Sequence, residues 1–104
     1  MKSRLEEIGV AELTDKQLEE LCEIGERAAK AYIHSRVHEK RISRLDITID
    51  AQGSKPVTVN VEIEIGLSSP MKDVDIYQVA KEAAEKALEA TNKYLRELTC
   101  KSTK

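Results

Sequence analysis

Tryptophan and phenylalanine are both absent from this 104-residue chain, and tyrosine occurs only three times. The core must therefore be aliphatic, built from Leu, Ile, Val and Ala, without the large burial that aromatic rings supply. The same shortage leaves no row of exposed rings on which unpaired bases could stack. Glycine is scarce too: four residues, all isolated. Neither a G-x-G-x-x-G turn nor a phosphate-binding loop can be assembled from them. Two cysteines and two histidines are present, with no C-x-x-C and no Cys/His cluster, which excludes a standard zinc site. No G-x-S-x-G elbow or recognisable Cys/His pair marks a nucleophile. These absences predict a protein that is not an enzyme and has no metal or cofactor. Charge of neither sign dominates, with 17 Lys and Arg against 19 Asp and Glu and a net charge of −2. That balance argues against a strongly basic nucleic-acid module and against a disordered acidic tail. No apolar run approaches the ~20 residues of a membrane span, and Met1 to Glu7 holds no apolar signal core. The expectation is a cytoplasmic protein with Cys22 and Cys100 as free thiols. Many Lys and Glu residues with only five Asn and Gln is a thermophile tendency.

The strongest pattern that is present runs from Val57 to Leu67, V-T-V-N-V-E-I-E-I-G-L. Side chains of a strand alternate between two faces. Val57, Val59, Val61, Ile63, Ile65 and Leu67 thus share one face, and Thr58, Asn60, Glu62 and Glu64 the other. A second alternating run lies just before it, about Ile42 to Asp50, with Leu45, Ile47 and Ile49 on the apolar side. The segment from Ala51 to Lys55 between them contains Gly53 and is followed by Pro56, which predicts a hairpin. A register with Ile49 opposite Val57 would set Arg44 opposite Glu62 as a cross-strand pair.

Helices flank the hairpin. Thr14 with Gln17 has capping-box spacing, and Leu13 and Leu18 take the staple positions. From there a stripe of Leu18, Leu21, Cys22, Gly25, Ala28, Ala29, Tyr32 and Ile33 has helical spacing. Gly25 and the alanines keep that stripe slim, so another element can come close. Arg36, His38 and Lys40 suit the negative end of this helix, near Val37 or His38. Asp75 and Gln78, with Val74 and Val79, repeat the start signal for a second helix. Its stripe runs Tyr77, Ala80, Ala84, Ala87, Thr91, Tyr94 and Leu98. The prediction is a single α+β domain over residues 1–104: a two-layer α-β-β-α arrangement, an antiparallel hairpin with both helices on one face. Residues 1–13 form a lead-in and 99–104 a flexible tail. A two-stranded sheet leaves both edges open. Pairing edge to edge would give a homodimer with a four-stranded sheet, unless charges or the lead-in cover the edge.

Three groups could carry chemistry. His34 and His38 stand at i, i+4, a spacing compatible with metal ligation, but no third ligand is marked. Asp46, Asp50, Glu62 and Glu64 occupy outward strand positions, where solvent normally fills the space. With Thr58 and Asn60, Glu62 and Glu64 form a candidate surface for a protein partner. Arg36, Lys40, Arg41 and Arg44, opposed locally by Glu39, form a basic cluster of net +3 that could hold RNA phosphates. The primary reading is a protein-interaction module; the rival is an RNA-binding domain using those four cations.

Several phrases resemble a small archaeal family of uncharacterised proteins. They are Ala11-Glu12-Leu13-Thr14 with Glu23-Ile24-Gly25-Glu26, Leu45-Asp46-Ile47-Thr48, and Asp73-Val74-Asp75 with Tyr94-Leu95-Arg96-Glu97-Leu98. Members are often encoded beside the gene for the prefoldin beta subunit. The resemblance implies an archaeal cytosolic protein, hints at work linked to protein folding or translation, and carries over no catalytic residues. The stretch Val79-Ala80-Lys81-Glu82-Ala83-Ala84-Glu85-Lys86-Ala87-Leu88 also resembles the second helix of double-stranded RNA-binding domains. In those a lysine cluster opens the helix to grip phosphates; here Asp73 and Asp75 stand in that region, and Lys81 alone matches.

Overall fold

Thr14 starts the first helix as its side chain dictates. Its Oγ accepts from the Gln17 N–H at 3.2 Å, and Gln17 Oε1 accepts from the Thr14 N–H at 2.9 Å. Two donors that a helix start leaves unpaired are thereby satisfied. Helix α1 then runs Asp15–Arg36 and stops at Val37, whose N–H bonds the Ile33 carbonyl. Leu21, Gly25, Ala29, Ile33 and Val37 are buried at four-residue intervals, one face of a 3.6-residue helix. Helix α2, Ile76–Ser102, is capped by Asp75, whose Oδ1 accepts from the Tyr77 and Gln78 N–H groups. Here the box is not reciprocal, because Gln78 donates to Glu82 instead. The computed structural model describes residues 2–9, 13–52, 57–69 and 74–102.

The predicted hairpin forms from β2, Ile42–Gln52, and β3, Val57–Leu67, with a 3-10 turn at Glu39–Arg41 ahead of it. Both helices cover one face of it, as predicted. The register differs from the expected one. Ile47 pairs with Ile63, Ile49 with Val61 and Leu45 with Ile65. Ala51 and Gln52 continue β2 where the sequence suggests a turn, which moves the centre of the hairpin towards Pro56. Arg44 consequently faces Gly66, not Glu62. One residue, Ser43, is extra on β2, since the register slips between Ile42 and Arg44. Gly66 accommodates this bulge: a Cβ there would lie 3.2 Å from Ser43 Oγ and 3.3 Å from Arg44 Cβ.

The lead-in is the larger departure. Residues Lys2–Gly9 form a third strand, β1, antiparallel to β3, giving the order β1-β3-β2. The alternative covering of the hairpin edge, by the lead-in, is thus the one that occurs on the β3 side. β3 becomes the central strand, and its alternation is explained: Val59, Val61, Ile63 and Ile65 are all buried. Helix α2 lies across β1 and β3, and α1 lies on β2 and against α2. Among the described residues the buried apolar side chains are Leu, Ile, Val and Ala throughout, joined by one polar residue, Thr91.

Thr91 marks where three elements meet. A Cβ on Gly25 would stand 3.0 Å from Thr91 Cγ2 and 3.2 Å from Ile49 Cδ1. The missing side chain therefore lets α1, α2 and β2 converge, as the slim stripe suggests. Thr91 itself is satisfied by donating to the Leu88 carbonyl within its own helix. Two stripe and tail expectations need correction. Tyr77 is 70% exposed, because burial along α2 begins only at Val79 and Ala80. Residues 99–102 continue α2 and are not a tail.

Candidate functional site

Edges and the outer sheet face are what the packing leaves open. Among the described residues β2 pairs only with β3. In an antiparallel pair every second residue turns its backbone N–H and C=O away from the partner strand. Part of the β2 backbone therefore faces outward along its free side. Its inward row, Ile42, Leu45, Ile47, Ile49 and Ala51, is only half-buried against α1. A cleft of about 310 Å³ opens beside this row, with Lys30 and His34 of α1 on one side and Arg44, Leu45 and Ile47 on the other. A second of about 380 Å³ lies farther along, between Glu19, Cys22 and Glu23 of α1 and Asp50 and Ala51 of β2. Cys22 is a free thiol that donates to the Ile49 carbonyl at 3.3 Å. Burial, with Asp50 and Glu26 nearby, pushes its pKa up. A raised pKa keeps the thiol protonated and poorly nucleophilic. The side chain of Cys100 lies outside the described residues, so a pairing of the two cysteines does too.

The outer face of the sheet carries the predicted partner surface. Thr58, Asn60, Glu62 and Glu64 are half-buried along the central strand, and Asp46, Thr48 and Asp50 are exposed beside them on β2. Register sets Asp46 directly opposite Glu64, two like charges that would repel if left alone. Arg44 resolves this by bonding Asp46 at 2.7 Å and Glu64 at 3.3 Å. The Asp46 hydrogen bond, then the charges of Glu64 and Asp46, raise the Arg44 pKa. On the far side, register places Arg4 opposite Glu62 and Lys2 opposite Glu64.

The four cations of the basic cluster are supplied by three elements. Arg44 is drawn onto the acidic sheet face, while Arg36 ends α1 and Lys40 and Arg41 sit in the 3-10 turn. All four are exposed. Sequence spacing groups them; it does not reveal that one is already neutralised two positions along its own strand. The histidine pair is also broken up. Helix α1 stops at Arg36, so His38 is outside it and uses Nδ1 to accept from the Lys40 N–H at 3.2 Å. Two imidazoles at i, i+4 share a helix face only if the helix continues. Among the described residues no group of three or more His, Cys, Asp and Glu is placed to hold a metal. Nor is any described helix long and apolar enough to cross a membrane.

Sequence reasoning treated Leu45, Ile47 and Ile49 as plain core. What alternation does not show is strand order: β1 covers the far side of β3, while β2 keeps its open edge and a half-covered apolar row.

Comparison with known proteins gives the same architecture elsewhere. A crystal structure from Thermococcus onnurineus superposes with a TM-score of 0.76 over 95% of this chain and 98% of that one, at 22% identity, a likeness of fold. The solution structure of the hypothetical protein mth677 from Methanothermobacter thermautotrophicus gives 0.71 over 82% and 91%, at 25% identity. An uncharacterized protein of Thermococcus kodakarensis is 30% identical over 96 residues, 91% of this chain and 87% of the relative. One from Pyrococcus furiosus is 30% identical over 93 residues, 88% of this chain and 82% of the relative. The model of one family matches residues 10–94. By that match and by its archaeal relatives, the chain belongs to the family described as protein of unknown function, DUF3194.

Proposed function

We propose that this chain is a non-enzymatic protein-interaction module that binds by strand addition along the free side of β2. One observation carries the reading: among the described residues no strand lies along one side of the eleven-residue β2, and its apolar row is half-covered. Strand addition uses both features, backbone bonds for affinity and alternate side-chain contacts for specificity. Arg44, Asp46 and Asp50 lie along that edge and suit a partner strand carrying charges of both signs. The non-enzymatic part rests on the sequence, which carries no G-x-S-x-G elbow, no G-x-G-x-x-G turn and no recognisable Cys/His pair. The family resemblance adds a setting, work beside protein folding or translation in the cytoplasm. RNA binding through Arg36, Lys40, Arg41 and Arg44 is disfavoured, because Arg44 turns onto the acidic sheet face and Glu39 stands among the other three.

Site-specific photocrosslinking in native host extract tests the reading. Probes at Asp46 and Thr48 should give discrete protein adducts, and probes at the exposed Glu85 and Lys93 of α2 should not. No adduct from the edge, equal labelling of both surfaces, or an RNA adduct in place of protein would overturn it.

A further inference from the structure

We infer that the occupant of the β2 edge is a second copy of this chain, paired antiparallel about a twofold axis at Ile47. The inference rests on the interaction reading and names its partner. In such a pairing the numbers of opposed residues add to a constant. The register that overlaps the whole of Ile42–Gln52 with itself has Ile47 facing its own copy. That register sets Arg44 opposite Asp50 of the second copy, twice, and Asp46 opposite Thr48. Leu45 meets Ile49, so the two half-buried rows continue into each other. Centring the axis one residue either way, on Asp46 or Thr48, brings aspartates face to face, which opposes pairing.

The ends of the α1–β2 cleft agree. One end carries Glu19 and Glu23 beside Asp50. The other carries Lys30 and His34 beside Arg44, together with Glu26 and Glu39. The twofold axis brings the wholly acidic end against the mixed one, which carries the cations Lys30 and Arg44. The inward row of β2 between Ile42 and Ala51 holds no charge. Pairing through β2 joins two sheets into one of six strands, in the order β1-β3-β2-β2-β3-β1.

Sedimentation equilibrium of the purified protein tests the dimer, and cysteine pairing tests its register. The expected mass is twice 11.7 kDa. In a chain with Cys22→Ser and Cys100→Ser, Asp46→Cys and Thr48→Cys should form a disulfide-linked dimer when mixed, because directly opposed positions are close enough to bridge. Either variant alone should not. A second series keeps the native cysteines: Asp50→Lys should weaken dimerisation about tenfold, and Arg44→Glu with Asp50→Lys should restore it, with helical circular dichroism unchanged. A mass of 11.7 kDa at all concentrations, crosslinking by either cysteine variant alone, or no response to the charge series overturns the inference. A monomer whose edge still captures another protein in extract overturns self-pairing alone. A monomer whose edge captures nothing overturns the interaction reading with it.

Discussion

Gly25 is the residue on which the most packing depends. Ordinarily Gly→Ala within a helix gains about 1 kcal/mol. Here the added methyl would sit 3.0 Å from Thr91 Cγ2 and 3.2 Å from Ile49 Cδ1, and overpacking of a filled core costs about 1–3 kcal/mol. The clash wins: Gly25→Ala should lower stability by about 1 kcal/mol in thermal denaturation. Thr91→Ser removes the obstructing methyl, so the double variant should be more stable than the sum of the two singles. Tyr94 ties the helices together from outside, donating to Glu20 Oε2 at 2.7 Å. Burial, then the Glu20 hydrogen bond and charge, push its pKa up to about 12. The folded state thus holds the Tyr94 proton more tightly than the unfolded chain, whose tyrosines titrate near ~10. Its contribution is complete below that value and is lost as pH rises from about 10 to about 12, with the linkage sign of a raised pKa. Absorbance titration should show a tyrosine ionising at about pH 12, and Tyr94→Phe should abolish that late step.

At the scale of elements, helix starts were the most legible feature and strand partners the least. Caps are local: Thr14 and Gln17 are three residues apart, and so are Asp75 and Gln78. Thr14→Ala should cost about 1 kcal/mol in chemical denaturation, since the Gln17 N–H loses its Thr14 Oγ acceptor, while the Thr14 backbone N–H keeps Gln17 Oε1. The hairpin and the face of each of its residues were also legible, because alternation is a property of single strands. Its register was not, since Gly53 and Pro56 allow more than one loop length. β1 left almost no trace. Leu5 and Ile8 are three residues apart and Glu6 and Glu7 are adjacent, so there is no alternation to read; only pairing with β3 makes Lys2–Gly9 a strand. The candidate surface was half legible for the same reason. The row Thr58, Asn60, Glu62 and Glu64 follows from alternation, but the open β2 edge follows from strand order. Position in the sheet also ranks substitutions. Ile63, fully buried on the central strand, should lose about 2–5 kcal/mol on change to Ala. Ile47, half-buried at the edge, should lose less, and denaturant midpoints of the pair would measure the difference.

The whole molecule is long for its size, with extents of 51 × 20 × 20 Å and a radius of gyration of 14.8 Å. A compact chain of this length has about 13 Å. The 27 residues of α2 account for much of the excess, since such a helix spans about 40 Å. Along that length the two ends of the sheet differ in how far apart their partners lie in the chain. β2 and β3 are joined by a short connection, whereas β1 pairs with residues 48 to 62 positions away. Closing the longer loop carries more entropy, and its reward waits on α2, which lies across both β1 and β3. The segment that comes first in the chain is therefore the last to acquire its neighbours. Folding should begin with the hairpin under α1 and finish when β1 and α2 dock together, with long-range pairing slowing the final step. Pulsed hydrogen exchange during refolding should show amides of β3 that face β2 protected before those that face β1; the reverse order would mean that the distant strand nucleates the sheet.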